Sequence, residues 1–435
     1  MYKQYLKQVW NLIRQERLFS SVYIIGTGLS VSMVMVLSLV FYIKIANIYP
    51  ETNRNRTLIA KSGMVTNKKN GGRSSSSLSE GVIQTCFSPL KDVKAVAMIY
   101  RGFKDNEYVQ QENNPEQIPA GIKYVNRDFW TVFPFRFLHG QPFTEADQQS
   151  GIRTAVIARS LARRLYGDVD PVGRYVSMNF KPYRICGVVE DVSFVSETTY
   201  ALLWIPYTAA DDYKSNGSRD ANGLLGYYTA YMLVSPEASM EQVRAAAIDN
   251  VRRYSQTIDD IEFSMLGQPD YHWQSIFRQW SNSEPDYDVL LLQYGFILLV
   301  LLLIPAVSLS GMTESRMERR LAEMGVRRAF GAPTYSLMKQ IISENFIFTL
   351  LGGLFGLLFS YLLLFLTRNW IMQIGSSFVT LAPEGVDVVF SPSMLFNYQV
   401  FGITLLVCFL LNLLSALIPA WRASHRQIIY SLNAK

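Results

Sequence analysis

The sequence predicts a membrane α-helical protein with four transmembrane helices, one before and three after a large external α+β domain made of two subdomains. Of its 435 residues, 49% are hydrophobic and only 17% are charged, whereas soluble globular proteins carry about 25% charged residues. Four runs without charged residues each exceed the roughly 18 to 20 residues that cross the hydrocarbon core of a bilayer. The basic residues concentrate at the ends of these runs.

The predicted spans are residues 20–44, 289–312, 345–367 and 399–420. Lys and Arg mark the cytoplasmic side of a membrane protein. They lie before the first span, between the second and third spans and after the fourth, at Lys3, Lys7, Arg14, Arg17, Arg316, Arg319, Arg320, Arg327, Arg328, Lys339, Arg422, Arg426 and Lys435. Both termini are therefore predicted inside, and residues 47–287 outside.

The N-terminal segment leaves two questions open. We interpret the first apolar run as a retained span rather than a cleaved signal peptide, because it exceeds a signal-peptide core of about 7 to 15 residues and no small-residue cleavage pattern follows. Residues 1–17 place Tyr5, Val9, Leu12 and Ile13 on one helical face, opposite basic residues. This amphipathic helix either only orients the first span or lies on the membrane surface and also contacts a partner.

The external domain alternates strand-like and helix-like segments, which predicts an α+β subdomain built from both ends and a β-rich subdomain inserted at about 121–210. Residues 71–77 predict a flexible Gly- and Ser-rich loop. Pro236 is predicted to open a helix that Ser235 caps. The other predicted elements are strands at 57–60, 95–100, 154–157, 174–178, 183–189, 201–205, 228–234 and 261–265, and helices at 78–89, 160–166 and 240–254.

No catalytic or metal site is predicted. His139 and His272 are the external histidines, and neither has the spacing of a metal ligand. Glu190 and Asp191 are adjacent on a predicted strand, so they point to opposite faces and do not form an acid–base pair. Cys86 and Cys186 either form one disulfide or are simply packed. Nucleic acid is not an expected partner, because the basic residues flank the apolar runs.

Residues 319–333 read RRLAEMGVRRAFGAP and lie on the predicted cytoplasmic side. They predict a short helix, because Glu323 stands four residues from both Arg319 and Arg327. Gly331 is suited to end that helix, and Pro333 prevents its continuation. Gly325 inside a helix costs about 1 kcal/mol relative to Ala, which indicates a close approach of another backbone.

This string resembles the cytoplasmic signature of the MacB and FtsX-like family of ABC transporter permeases, approximately E-I-G-x-R-R-A-x-G-A, with Met324 in place of the usual Ile. Segments at 126–130, 138–144, 155–157, 170–173 and 185–191 are similar to that family's periplasmic core, and 419–424 to the exit of its last span. A Pro usual after that exit is absent, with Ile428 and Ile429 there instead. The family shows the same order of one span, a large external domain and three spans.

The resemblance implies a domain plan and a function. It implies an amphipathic helix with the first span at 1–46, a periplasmic MacB-like core domain at 47–287, and an FtsX-like domain at 288–435 with a coupling helix at 316–333 that docks into an ATPase. The candidates for that contact are Glu323, Gly325, Arg327, Arg328 and Gly331. We expect a bacterial inner-membrane location, a homodimer or a dimer with a related subunit, and a periplasmic adaptor and outer-membrane channel as further candidate partners.

The chain itself is expected to be non-catalytic and to bind no cofactor. It contains no G-x-x-x-x-G-K-[ST] phosphate loop, and we expect residues 1–17 to leave no room for an ATPase domain, so ATP and Mg²⁺ are expected in a separate protein. Gly352 and Gly356 form a small-xxx-small face for packing within a permease dimer or against the first span. The spans lack internal charges, so no ion relay is expected.

The resemblance implies mechanotransmission, in which ATP-driven closure moves the periplasmic domain. The leading interpretation is export or extraction of a hydrophobic or amphipathic substrate, namely a peptide, an antimicrobial compound or a lipoprotein. An FtsX-like regulator that activates an envelope hydrolase is an alternative within the family. A membrane receptor or scaffold is the alternative from a different class.

Overall fold

The computed structural model describes residues 14–15, 17–100, 106–112, 114–210, 213, 223–278, 282–300, 303, 326, 330–331, 333–371 and 398–425. The chain divides into two compact units. We call the one that contains the long apolar helices the helical unit, and the one formed by residues Ile43–Tyr287 the β-rich unit.

The described helices are α1 (Arg17–Ile45), α2 (Glu80–Cys86), α3 (Phe129–Val132), α4 (Glu145–Gln149), α5 (Arg159–Tyr166), α6 (Met240–Gln256), α7 (His272–Phe277), α8 (Tyr287–Val300), α9 (Thr334–Ile371) and α10 (Tyr398–His425). The described strands are β1 (Thr57–Ala60), β2 (Gly63–Asn67), β3 (Arg73–Leu78), β4 (Val93–Tyr100), β5 (Asn106–Gln111), β6 (Ile118–Val125), β7 (Phe137–Gly140), β8 (Thr154–Ala158), β9 (Tyr175–Met178), β10 (Lys181–Val189), β11 (Leu203–Pro206), β12 (Leu225–Gly226), β13 (Tyr228–Val234), β14 (Ile261–Ser264) and β15 (Asp270–Tyr271).

In the helical unit, two segments within the described residues are long and apolar enough to cross a membrane, Ser20–Ile45 in α1 and Ile342–Arg368 in α9. Two shorter apolar helices are Tyr287–Val300 and Tyr398–Leu411. The predicted count of four spans therefore stays a prediction. The predicted amphipathic helix at 1–17 lies almost wholly outside the described residues.

The β-rich unit is built on one continuous network of strand pairings, in the order β11-β8-β10-β9-β5-β6-β4-β13-β3-β2-β14. One end combines β1–β4 with β12–β15 around a core that includes Val82, Ile83 and Val243. The other end combines β5–β11 around a core that includes Leu161 and Tyr183. The two ends meet where β4 pairs with β6.

Local sequence explains the central elements. All seven residues of β13 are buried, because it pairs with β1 on one side and β4 on the other, and a strand buried on both faces needs a continuous apolar run. The α6 helix buries residues at helical spacing, Val243, Ala247, Val251 and Ser255, which is the pattern of an amphipathic helix.

The structure corrects three sequence-based expectations in this unit. Much of the predicted loop at 71–77 is strand, because Ser74, Ser75 and Ser76 in β3 pair with β2, and strand pairing outweighs the weak strand preference of serine. The helix after β13 begins at Met240 rather than Pro236, because a turn joins the Ala238 amide to the Ser235 carbonyl.

The third correction concerns the inserted subdomain predicted at 121–210. The strand β5 lies before that range, yet it pairs with β6 and β9. The strands of this subdomain therefore begin at Asn106. The sequence near β5 does not show this, because β9, one of the two strands that β5 pairs with, lies far along the chain.

The possible disulfide between Cys86 and Cys186 does not form. Both cysteines are free, Cys86 is buried, and the Cys186 Sγ lies 3.4 Å from the Ala155 carbonyl oxygen. Burial raises the pKa of Cys86 to about 11 and that of Cys186 to about 12. Both are packed thiols rather than reactive ones.

Candidate functional site

Of the five residues expected to contact the ATPase, Gly331 lies in the described part of the chain, whereas Glu323, Gly325, Arg327 and Arg328 lie outside it. Gly331 has a φ of +88°, which is the conformation of a helix-ending glycine. The Phe330 amide donates to the Val326 carbonyl, 3.1 Å away, just before it. The Phe330 side chain is 88% exposed, so an apolar side chain is presented at this turn.

Gly352 and Gly356 lie against the first helix within the helical unit. A Cβ added to Gly356 would lie 2.5 Å from the Gly28 carbonyl oxygen, and one added to Gly352 would lie 2.8 Å from the Thr27 Cβ. These distances are too short for any side chain. The small-residue face of α9 therefore allows the backbones of α1 and α9 to approach closely, which is one of the two interfaces that the sequence left open.

The histidines and adjacent carboxylates considered from the sequence have separate surroundings in the structure. No three potential ligands among His, Cys, Asp and Glu cluster within them. The exposed His139 has its Nδ1 3.7 Å from an Asp170 carboxylate oxygen. Glu190 pairs with Arg136, and Asp191 pairs with Arg159, so the adjacent carboxylates have separate partners.

A polar cluster that the sequence did not reveal, with three buried members and one half-buried member, lies where α1 ends, inside the β-rich unit. We call Glu51, Arg54, Thr199 and His272 the Arg54 cluster. One Nη of Arg54 donates to the carbonyl oxygens of Ile43 at 2.7 Å, Lys44 at 3.2 Å and Ala46 at 2.8 Å. The last carbonyls of a helix have no partner within it and carry a partial negative charge. The Arg54 guanidinium therefore caps α1.

The other members of the cluster hold Arg54 in place. The Arg54 Nε donates to a Glu51 carboxylate oxygen at 2.8 Å, and the two side chains are 4% and 2% exposed. The second Glu51 oxygen accepts from the Thr199 amide at 3.1 Å and from its hydroxyl at 2.9 Å. Burial raises the pKa of Glu51, but the charge of Arg54 and the hydrogen bonds outweigh burial and hold the pKa below its ordinary value. Glu51 is therefore a buried, ionised carboxylate, and both of its oxygens accept hydrogen bonds.

His272, the first residue of α7 near the C-terminal end of the β-rich unit, is the fourth member of the cluster. Its Nε2 lies 3.0 Å from the Lys44 carbonyl oxygen, the distance of a hydrogen bond that the N–H donates. Burial lowers the pKa of His272 to about 4; the charges of Arg54 and Lys61 act in the same direction, and Glu51 and the Lys44 carbonyl oppose them. The imidazole is therefore neutral at pH 7.

We expect the β-rich unit to lose stability as pH falls from 7.5 to 5. The pKa of a histidine in an unfolded chain is about 6.5, whereas that of His272 in the folded chain is about 4. Between these two values the unfolded chain binds a proton that the folded chain does not. This difference in proton binding lowers the free energy of unfolding by about 2 kcal/mol between pH 7.5 and pH 5.

The measurement is the thermal unfolding midpoint of the purified chain as a function of pH. His272→Gln, which still donates but does not titrate, should flatten the profile, whereas His139→Gln at the surface should leave it steep. An unchanged profile in His272→Gln would contradict the assignment.

Two family models match the chain. The MacB-like periplasmic core domain matches residues 20–250, and the FtsX-like permease C-terminal domain matches residues 295–428. The first of these models alone covers more than half of the chain. The two lie in the order of a core domain followed by a membrane domain.

Relatives with curated names share about a quarter of the aligned residues. The pyoverdine export ATP-binding/permease protein PvdT of Pseudomonas aeruginosa is 24% identical over 53% of this chain and 33% of its own length. The uncharacterized ABC transporter permease YknZ of Bacillus subtilis is 21% identical over 62% of this chain and 64% of its own length. The chain thus spans about a third of the length of PvdT.

A solved structure also matches. The periplasmic region of MacB from Actinobacillus actinomycetemcomitans is 16% identical, covers 47% of this chain and 89% of its own chain, and aligns with a TM-score of 0.34.

Proposed function

Because the chain belongs to the MacB and FtsX-like family of ABC transporter permeases, we propose that it couples ATP hydrolysis by a separate ATPase to movement of its periplasmic domain. Members of this family are membrane permeases with a periplasmic domain, so the chain resides in the inner membrane. The observation that carries the proposal is the order of the two family matches along one chain, with the RRLAEMGVRRAFGAP string inside the second match.

The proposed mechanism is mechanotransmission through four spans, with both termini in the cytoplasm. Residues 20–43 and 345–367 of the two described spans contain no charged residue, and ionisable residues within spans typically mark ion and substrate pathways. The substrate therefore need not pass between the spans. It is handled at the periplasmic domain, and its class is hydrophobic or amphipathic: a peptide, an antimicrobial compound or a lipoprotein.

The proposed partners follow from the same account. ATP and Mg²⁺ are proposed to bind to a separate ATPase partner, which fits the permease names of the relatives. These 435 residues contain no phosphate-loop motif. The permease pairs with a second copy or a related subunit, and Glu323, Gly325, Arg327, Arg328 and Gly331 contact the ATPase. A periplasmic adaptor and an outer-membrane channel are further partners for export.

The proposal requires the β-rich unit and the motif at 319–333 to lie on opposite sides of the membrane. In spheroplasts of a variant without its own cysteines, we expect Ser74→Cys to react with a membrane-impermeant maleimide. We expect Ser315→Cys to react only after the membrane is permeabilised. Ser74 is an exposed residue of β3, so burial would not prevent the maleimide from reaching a cysteine at this position. The reverse labelling pattern would overturn the topology.

A further inference from the structure

Six strands of the β-rich unit close into a barrel. In ring order they are β5, β6, β11, β8, β10 and β9, each paired with the next, and β9 pairs back with β5. The core inside the ring includes Val176, Met178, Tyr183 and Ile185. Successive side chains of a strand point to opposite faces, so the residues between these four lie on the outside. The outside of a closed barrel is convex, which makes it a surface rather than a cleft.

Three exposed arginines have neighbouring backbone positions on this side of the barrel. Arg184 lies in β10, and its amide donates to the Arg153 carbonyl oxygen, 2.8 Å away, just before β8. The next amide along β10, that of Ile185, donates to the Arg174 carbonyl oxygen at 2.8 Å, just before β9. Tyr175, which follows Arg174, is opposite Arg184 and is also exposed. The three arginines are exposed as well, so they bring three positive charges to one part of the surface.

These charges are not neutralised by the described part of the chain. None of the ion pairs among the described residues includes Arg153, Arg174 or Arg184. The acidic residues between α5 and β9, Asp168 and Asp170, each lie beside a different basic residue. A group of like charges attracts a partner of opposite charge and orients it on approach. The partner of this surface should therefore be acidic.

The hairpin that joins β9 to β10 ends in an exposed phenylalanine. Its two turn residues, Asn179 and Phe180, both have positive φ, +50° and +62°, as in a type I′ turn. The second position of that turn favours glycine, and a bulky residue with positive φ is uncommon. Phe180 is 89% exposed, so packing within the described chain does not compensate for this conformation. Strained residues of this kind concentrate at sites that contact ligands.

The phenylalanine and the arginines belong to the same side of the barrel. Arg184 lies four residues after Phe180, which is about 13 Å along a strand. Val109 of β5 is opposite Met178, so the next residue, Tyr108, which is 61% exposed, lies beside the turn. Tyrosine and arginine are enriched among the residues that dominate protein–protein binding. Small molecules bind in concave clefts, so a convex face of this composition favours a protein partner.

We propose that this face binds an acidic segment of a partner protein, with Phe180 in an apolar pocket of that partner and its carboxylates beside Arg153, Arg174 and Arg184. We call these four residues, with Tyr108, the barrel face. The inference rests on the proposed function for the existence of a periplasmic partner, and it adds the chemistry by which that partner is recognised. It does not require coupling to an ATPase.

The first step of the test is crosslinking in cells, with the photoreactive residue p-benzoylphenylalanine in place of Phe180 in the full chain. The captured protein and the crosslinked peptide are identified by mass spectrometry. We expect a partner whose crosslinked segment is flanked by Asp or Glu residues. The same photoreactive residue in place of Ile248, which is 39% exposed on α6, is the matched control and should not capture that protein.

The second step measures the affinity of the captured, purified partner for the full chain in lipid nanodiscs, without nucleotide. Phe180→Gly and Arg184→Glu should each weaken binding at least about tenfold, as expected for residues that dominate an interface. Because Asn-Gly is the favoured pair for this turn, Phe180→Gly should leave the thermal unfolding midpoint unchanged or higher, so misfolding does not explain the loss. Arg164→Glu changes an exposed arginine of α5 and should leave the affinity unchanged.

Three results would overturn the barrel face as an acidic-partner site. They are capture of no protein or only of a second copy of this chain, a captured segment without acidic residues, and parent affinity in both Phe180→Gly and Arg184→Glu. Failure of the proposed coupling gives a different result, because a chain that recovers no ATPase would still bind this partner with the same dependence on Phe180 and Arg184.

Discussion

Replacing Arg278 with methionine is expected to lower the free energy of unfolding of the β-rich unit by about 3–5 kcal/mol, because it leaves the Asp270 carboxylate buried without a partner. In a unit of this size, such a loss lowers the unfolding midpoint by roughly 6–20 °C. The measurement is thermal unfolding of the purified chain followed by tryptophan fluorescence, since Trp130 and Trp204 are buried in this unit.

Two variants control this experiment. Arg159→Met removes an arginine whose side chain is 60% exposed, and exposed pairs contribute about 0–1 kcal/mol, so it should change the midpoint little. Asp270→Asn combined with Arg278→Met removes both charges, so it should recover part of the lost stability. If Arg278→Met were no more harmful than Arg159→Met, the buried pair would not hold the end of the sheet.

Exchanging the charges of Glu323 and Arg327 is expected to abolish coupling to the ATPase while leaving the protein folded and inserted. Glu323→Arg with Arg327→Glu keeps that pair attractive. It places like charges at 319 and 323, but such a pair costs only about 0.2–0.5 kcal/mol, so the predicted helix should persist. A partner surface complementary to the original charges would meet like charges, which cost several kcal/mol. Association should therefore weaken at least about tenfold.

This exchange is checked by recovery of the ATPase with the tagged permease and by ATP hydrolysis per recovered permease. Exchanging Lys69 and Asp260, an exposed ion pair in the β-rich unit, is the matched control and should leave both readings unchanged. Normal ATPase recovery with the Glu323 and Arg327 exchange would count against the coupling role of the motif.

Apolar patterning was the most dependable guide to the fold. The strand predicted at 228–234 is observed as Tyr228–Val234, because a mostly apolar run of this length that ends at Ser235 and Pro236 is typical of a buried strand. The predicted helix at 240–254 is observed as Met240–Gln256, because its buried residues recur at helical spacing. Such patterns are local, so the sequence contains all that is needed to recognise them.

Elements that depend on distant partners were missed. The serines of β3 have no preference for a strand, and β2 supplies the pairing that holds them there. Glu51 and Thr199 are 148 residues apart in the chain, so nothing local shows that Glu51 is buried. The available signal in the sequence was Glu51 three residues before Arg54. That spacing is too common in surface loops to identify a buried cluster.

The candidate site divides in the same way. The motif at 319–333 is recognised because its letters resemble a family signature, and its contact with an ATPase stays a prediction. The Arg54 cluster and the buried pair of Arg278 with Asp270 have no signature and emerge only from tertiary contacts. In the proposed mechanism, ATP-driven movement starts at the motif and reaches the β-rich unit through the spans, and ATP hydrolysis takes place in a partner ATPase.

Native purification tests whether this permease works with a separate ATPase. The tagged chain is purified from its own membrane in mild detergent, with and without crosslinking, and the recovered proteins are identified and assayed for vanadate-sensitive ATP hydrolysis. We expect recovery of a separate ATPase that is lost with the Glu323 and Arg327 exchange. Recovery of no ATPase, even after crosslinking, would contradict the account and favour a membrane receptor or scaffold.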